Sequence, residues 1–381
     1  MRLDERLNEK YRREVKRVDA AWPRARNSVL DPQRDRLSVV YEVFTAVYRG
    51  DGRGKRRVNL LFCHGSGMNR AIWEYHADKL ASAHANWVVN KVVLVDQANH
   101  GDSWVANQGK LGMEFDWFDG ARDIVRVAEE EFTADYHDVN VIVGHSMGGF
   151  QALAAIAHSP TMFQFGIVIE PVIIKSEAQL APDAHYTIFP ARFYTALKRK
   201  MLDTFANELE YNTFITKGSL YTDVHPDIRE RMRQFEKLEN PDGTISTKMK
   251  MVHNVMCYAT KNFSGRRMVA LMKFVPCPVV MLVGGDSRWT PPINNETVLN
   301  GVPNCSKIVI PKGGHMVNLE MPNIVISHIT SKITEFIENE ETTTNPQHLT
   351  HPATQTERAL FLNHNFKDLT QAIDAGRQAK L

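Results

Sequence analysis

Cysteine is scarce in this chain, with four among 381 residues. Cys63, Cys257, Cys277 and Cys305 have neither the paired spacing of a zinc site nor the density of a disulfide scaffold. Cys63 and Cys277 lie in or beside apolar runs and read as small core residues, which suits a reducing compartment. Net charge is nearly absent as well. Lys and Arg number 46 against 44 Asp and Glu, and a balance of +2 leaves no footprint for a nucleic-acid partner. No apolar run approaches the roughly 18 residues a membrane helix needs. The longest, Phe165 to Ile174, is interrupted by Glu170 and Pro171. The N-terminal stretch lacks the apolar core of a secretory signal, and Asp4, Glu5 and Glu9 argue against a transit peptide. Charged in both signs, Met1 to Val18 predicts a solvated helix. No internal repeat, His-Glu-x-x-His, Cys-x-x-Cys or P-loop occurs, so the metal and nucleotide chemistries those motifs carry find no support.

What is present is an alternation of short oily runs with longer helical patterns. The runs are Leu37–Thr45, Val58–Cys63, Val92–Val95, Val139–Val143, Phe165–Ile169, Val279–Val283 and Ile308–Ile310. Helical periodicity falls near Ile72–Ala83, Phe118–Phe132, Met147–His158 and Asn323–Ile337. Val- and Ile-rich runs separated by helices predict an α/β fold, a mostly parallel central sheet flanked by helices. Val172 to about Phe274 breaks the rhythm. It has helical patterns but no convincing strand, and is too long for an ordinary connection. It reads as an inserted helical cap over residues 172–274, with the core at 1–171 and 275–340. The segment holds seven of the 15 methionines and many aromatics, among them Phe193, Phe205, Tyr211 and Phe214. These suit either an adaptable apolar pocket or the segment's own core. Residues 341–381 read as a linker, a short helix over Thr356–Ala375 and a tail.

The strongest chemical signal is Gly144-His145-Ser146-Met147-Gly148-Gly149. It follows an apolar run and precedes a helical pattern, the strand–turn–helix context of a nucleophile elbow. A serine hydroxyl there needs a base to take its proton. In that setting the residue order is serine, acid, histidine, and His315 follows the last strand-like run in Gly313-Gly314-His315. Two carboxylates end earlier runs: Glu170 after Ile167-Val168-Ile169, and Asp286 after Val279–Val283. Either could orient the imidazole and stabilise its cation, and the residues alone do not choose between them. Leu61-Phe62-Cys63-His64-Gly65-Ser66-Gly67 places a tight turn after a strand. The amide of Ser66 (or Gly67), with that of Met147, would form an oxyanion hole. His145 reads as structural, and Asp96 to Ser103 as part of the pocket rim. This chemistry asks for no cofactor and no metal.

At these residues the chain resembles the α/β-hydrolase superfamily over about Leu37–Glu338. His64-Gly65, Asp96 with His100-Gly101-x-Ser103, Gly144 to Gly148, and Gly314-His315 occur in order. It is more closely similar to the yeast peroxisomal lipase group and related fungal peroxisomal acyl hydrolases. That likeness lies in Ala21-Trp22-Pro23-Arg24, Gly65-Ser66-Gly67-Met68, Gln97-Ala98-Asn99, Asp119-Gly120-Ala121-Arg122-Asp123 and Glu170-Pro171-Val172. The resemblance implies an α/β-hydrolase fold and a serine ester hydrolase acting on lipid acyl esters, or an acyl-CoA thioesterase using the same residues. It favours Glu170 over Asp286 as the acid, since in that group the acid follows the sixth strand. Ala379, Lys380 and Leu381 match the small–basic–leucine form of a peroxisomal address. They imply a location in the peroxisomal matrix, with the import receptor as a partner.

Overall fold

In a computed structural model of the chain, residues 2–47, 55–81, 86–132, 138–180, 191–259, 264–343 and 354–374 are described. Among the described residues the main sheet has eight strands: β1 (Tyr11–Asp19), β2 (Ser38–Ala46), β3 (Arg56–Cys63), β4 (Trp87–Val95), β5 (Asp138–His145), β6 (Phe165–Ile169), β10 (Val279–Gly284) and β11 (Cys305–Ile310). Three short strands of a second sheet, β7 (Thr204–Phe205), β8 (Lys237–Glu239) and β9 (Ile245–Thr247), intervene in the chain. The order across the main sheet is β1-β2-β4-β3-β5-β6-β10-β11. β1 and β4 pair antiparallel with β2, and the pairs from β4 to β11 are parallel. A parallel strand covered on both faces should be apolar along its length, and all eight residues of β5 are buried. Helices Trp117–Glu131 and Met147–His158 pack together there, with Phe150 edge-on to Trp117 and Phe118.

Apart from Leu37, which precedes β2, each oily run expected to be a strand lies in one, and the helical patterns fall on helices, the first on Glu74–Leu80, entered through a 3₁₀ turn at Arg70–Trp73, with residues 82–83 of that pattern outside the described residues. The N-terminus departs from expectation. Only Leu3–Lys10 is helical, and Tyr11–Asp19 is the edge strand β1. Its charges, which looked solvated, are matched to partners: Arg13 bonds Asp4 and Glu42, and Lys16 reaches Glu131. Charged residues on an edge strand also discourage pairing with another chain.

The long segment after β6 differs as well. Beside helices Ala191–Lys200, Glu208–Thr213, Pro226–Glu236, Met251–Ala259 and Ser264–Leu271, it contains an antiparallel sheet in the order β7-β9-β8. The reading of this segment as purely helical is therefore corrected. Strands of two or three residues are too short to show alternation, and the β8–β9 turn through Pro241-Asp242-Gly243 was the legible sign. Phe205 packs on Tyr211 and Phe214, so those three aromatics belong to the segment's own core.

The chain divides into two compact units, Met1–Thr334 and Glu335–Leu381. The second holds the end of helix Pro322–Thr343 and a helix at Gln355–Asp374 that exposes Leu360, Leu362 and Phe366. Residues 344–353 of the expected linker, and Ala379, Lys380 and Leu381, lie outside the described residues. No described helix is long and apolar enough to cross a membrane.

Candidate active site

β5 ends at His145 and the next helix starts at Met147, so Ser146 is the single residue of the turn. Its backbone sits at φ 55°, ψ −115°, a conformation that serine rarely adopts and that lifts its hydroxyl out of the turn. The turn packs closely on its neighbours. A Cβ on Gly148 would stand 2.3 Å from the carbonyl oxygen of Cys63 at the end of β3.

His315 reaches this serine from the loop after β11. Its Nε2 lies 2.9 Å from Ser146 Oγ and its Nδ1 3.0 Å from Glu170 Oε2. Glu170, which follows β6 with φ 50°, is fully buried. Its carboxylate also accepts from the Gly284 amide at 2.8 Å, from Thr290 Oγ1 at 2.7 Å and from Ser287 Oγ. Since Glu170 is the acceptor at Nδ1, that nitrogen carries the imidazole proton and Nε2 presents a lone pair to the serine. Burial lowers the His315 pKa below the ordinary histidine value; Glu170 opposes that shift and Lys175 adds to it.

Asp286 is not brought to His315. It is exposed, and its amide, rather than its carboxylate, bonds the loop through the Gly313 carbonyl at 3.0 Å. A glutamate's extra methylene lets Glu170 span from β6 to the imidazole. Sequence reasoning missed Ser287 and Thr290, although their hydroxyls fall one and four residues beyond Asp286 in the same loop.

Two further aromatic groups frame the histidine. Trp289 lies parallel to its ring, with centroids 4.8 Å apart and planes 13° apart. Lys175 bonds the Trp289 carbonyl, and its ammonium stands 4.9 Å from the indole centroid. Burial depresses the Lys175 pKa to about 8, against the opposing pull of Glu170. His145, read as structural, donates from Nε2 to the main-chain carbonyl of His315 at 2.8 Å and so anchors the loop.

The expected oxyanion donors flank Ser146. The Gly67 amide, the alternative to that of Ser66, donates to His100 Nε2 at 3.1 Å. Neither the Ser66 nor the Met147 amide donates to another group among the described residues. A cavity of about 230 Å³ opens onto Ser66, Ser146 and His315. It is walled mainly by apolar groups, among them Met68, Phe193, Leu197, Tyr258 and Trp289, and Lys200 also borders it. Phe193 and Tyr258 thus come from the inserted segment to the site. Among the described residues, none of Asp96 to Ser103 lines this cavity, where they were expected at its rim. Asp96 is buried and binds Arg70 and the Asp102 amide, and His100 holds the Gly67 amide from behind.

A polar serine–imidazole–carboxylate chain beside a narrow apolar cavity can transfer an acyl group through a covalent intermediate. The comparisons with known proteins support a hydrolase of this fold. The sequence pattern of the alpha/beta hydrolase family matches residues 60–327. The chain is 38% identical to the peroxisomal membrane protein LPX1 of Saccharomyces cerevisiae, over 94% of this chain and 95% of that one. The solved structure of the peroxisomal alpha-beta-hydrolase Lpx1 of that yeast superposes with a TM-score of 0.86 at 38% identity, covering 95% of this chain and 98% of the other. A type I acyl-CoA thioesterase, mpaH of Penicillium brevicompactum, is 24% identical over 55% of this chain and 51% of its own.

Proposed function

This chain belongs to the alpha/beta hydrolase family, and from that premise we propose that it is a serine hydrolase of lipid-derived acyl esters. The proposal rests on one observation: Ser146 Oγ, the His315 ring and Glu170 Oε2 form a continuous hydrogen-bonded line, with spacings of 2.9 and 3.0 Å, at an apolar cavity.

In this reading Ser146 attacks the acyl carbonyl while His315 Nε2 takes the hydroxyl proton. The carbonyl π-bond opens to an oxyanion facing the Ser66 and Met147 amides. Each such donor is worth about 2.7–4 kcal/mol in the transition state. The tetrahedral centre collapses, the ester C–O bond breaks, and the imidazolium returns its proton to the leaving alcohol. Water then repeats the sequence on the acyl-enzyme. His315 takes its proton, the carboxylic acid departs, and Ser146 recovers its hydrogen. Glu170 holds the imidazole tautomer and stabilises its cation without itself taking the proton. The residue 172–274 insertion serves as a cap, supplying Phe193, Leu197 and Tyr258 to the acyl site. Its size supports a modest acyl group, since a cavity of about 150 Å³ accepts benzene.

Replacing Ser146 with Ala should abolish hydrolysis of 4-nitrophenyl and glyceride esters while the variant melts as a folded protein. Retained turnover would reject the assignment. A thioester substrate is the second reading, favoured by Lys200 at the cavity and by the acyl-CoA thioesterase name of a relative. Side-by-side kcat/KM values on glyceride esters and acyl-CoA decide between them. The peroxisomal relative in yeast, with the Ala379-Lys380-Leu381 tripeptide, supports a place in the peroxisome and import by its receptor. A fluorescent reporter carrying the last twelve or so residues should become punctate, and deletion of the tripeptide should disperse it.

A further inference from the structure

The inserted segment grips the oxyanion loop at three positions. Tyr221 donates its hydroxyl to the Gly67 carbonyl. Ser66 Oγ donates to Asn254 Oδ1 at 2.9 Å. Asn69 Nδ2 donates to Glu236 Oε2 at 2.7 Å. Tyr221, Asn254 and Glu236 are all buried, and they come from a turn and two separate helices of the segment.

The core holds the same loop from beneath. His64 Nε2 accepts from the Gln97 amide at 3.1 Å, so Nδ1 carries the proton and donates to the Gly65 carbonyl at 2.8 Å. A peptide unit is planar and trans, so fixing the Gly65 C=O aims the Ser66 N–H the opposite way. His100 accepts the Gly67 amide. Burial holds both imidazoles below the ordinary histidine pKa, as neutral acceptors. The loop is therefore fixed from the core on its Gly65 carbonyl and Gly67 amide. The Gly67 carbonyl has Tyr221 as its partner.

Gly67 is the pliable point. Its φ is +79°, open to glycine and poorly tolerated by other residues, and a Cβ there would meet Met201 at 2.3 Å. Without the tyrosine hydroxyl, the buried Gly67 carbonyl loses its partner and the residue is held by its amide alone. A donor aimed at a developing oxyanion works only within a narrow range of positions, so slack at Gly67 reaches the Ser66 amide.

We propose that Tyr221 is a positioning residue for the oxyanion donors, so that the inserted segment sets the rate of acyl transfer as well as walling the acyl site. The inference rests on the serine-hydrolase reading above. Burial keeps the Tyr221 phenol far above its usual pKa, so it remains a donor at any working pH.

Tyr221→Phe removes the one hydroxyl and keeps the ring. The expected result on 4-nitrophenyl hexanoate is a kcat lowered about tenfold to hundredfold, somewhat less than the loss of a whole oxyanion donor, with KM within about threefold. Binding of an alkyl boronic acid, which becomes tetrahedral on Ser146, should weaken by the same factor as kcat/KM. Binding of the product carboxylic acid should hold. Asn254→Ala, which frees Ser66 from the same segment and leaves the tyrosine in place, should show the same selective loss on a smaller scale. It also serves if Tyr221→Phe does not fold. A folded variant with unchanged kcat, or one that weakens boronate and product alike, overturns the proposal. Turnover surviving Ser146→Ala would instead overturn the underlying reading, so the two failures are told apart.

Discussion

Trp289 lies flat on His315, ring centroids 4.8 Å apart, and the same indole walls the cavity beside Ser146. In acyl transfer the imidazole becomes a cation each time it takes a proton, and an aromatic face attracts a cation by about 0.5–2 kcal/mol. Trp289→Leu should therefore lower kcat by about threefold to thirtyfold. Loss of packing alone would raise KM. The distinguishing measurement is the acid limb of kcat against pH, which should move down when the cation loses its indole.

Glu170 carries the heavier burden. With Nδ1 of His315 held by this buried carboxylate, Glu170→Gln offers an amide that can turn its N–H₂ to the ring and hold the wrong tautomer. The expected loss in kcat is about 10⁴-fold, as for the equivalent change in a serine protease triad. Asp286→Asn should stay within about twofold, because that side chain is exposed and does not bond the imidazole. Paired steady-state assays of the two variants test the assignment directly, and a collapse in Asp286→Asn with an active Glu170→Gln would reverse it.

The inner strands of the main sheet, such as β5 and β6, were legible because they are buried along their length and so write themselves as Val- and Ile-rich runs. The elbow was legible because a sharp strand-to-helix turn needs small residues around Ser146. Choosing between Glu170 and Asp286 was not possible from the residues, since both follow strands of the same sheet. In three dimensions Glu170 is the side chain that turns inward, where Ser287, Thr290 and the Gly284 amide bond it. The strand at Tyr11–Asp19 was hidden because its charges read as exposed. Their partners at Glu42 and Glu131 lie 29 and 115 residues away in sequence. The bonds of Tyr221 to Gly67 and of Ser66 to Asn254 are likewise long-range and leave no local pattern.

The pH dependence of the rate follows from burial of His315. Only the neutral ring can accept the serine proton. Burial disfavours the cation and lowers the pKa, so kcat/KM should keep its plateau to below the ordinary histidine value of about 6.5. Lys175 contributes to that lowering. Lys175→Met removes a positive charge near the imidazole, so the acid limb should move to higher pH. A limb that stays fixed in the variant would show that Lys175 acts only on the Trp289 loop.

Stability should respond to pH through Glu236, with the opposite sense to an ordinary paired carboxylate. Burial raises its pKa from 4.5 to about 7 in the folded chain, against the lowering effects of the Met249 amide, Asn69 and Lys248; the nearby Asp96 adds to the rise. In the unfolded chain the group titrates near its normal value of about 4.5. Between those two points the folded state holds a proton that the unfolded state has released. Unfolding therefore becomes easier as pH rises across that window. The stabilisation is complete below pH 4.5 and lost once pH passes about 7. At ~1.4 kcal/mol per pH unit, the whole window is worth a few kcal/mol. Glu236→Gln cannot titrate. Its denaturation midpoint, followed from pH 5 to pH 8 in urea, should lack the part of the decline that the unsubstituted protein shows. Equal slopes in the two proteins would mean that Glu236 ionises normally despite its burial, with Asn69 and Lys248 carrying the charge.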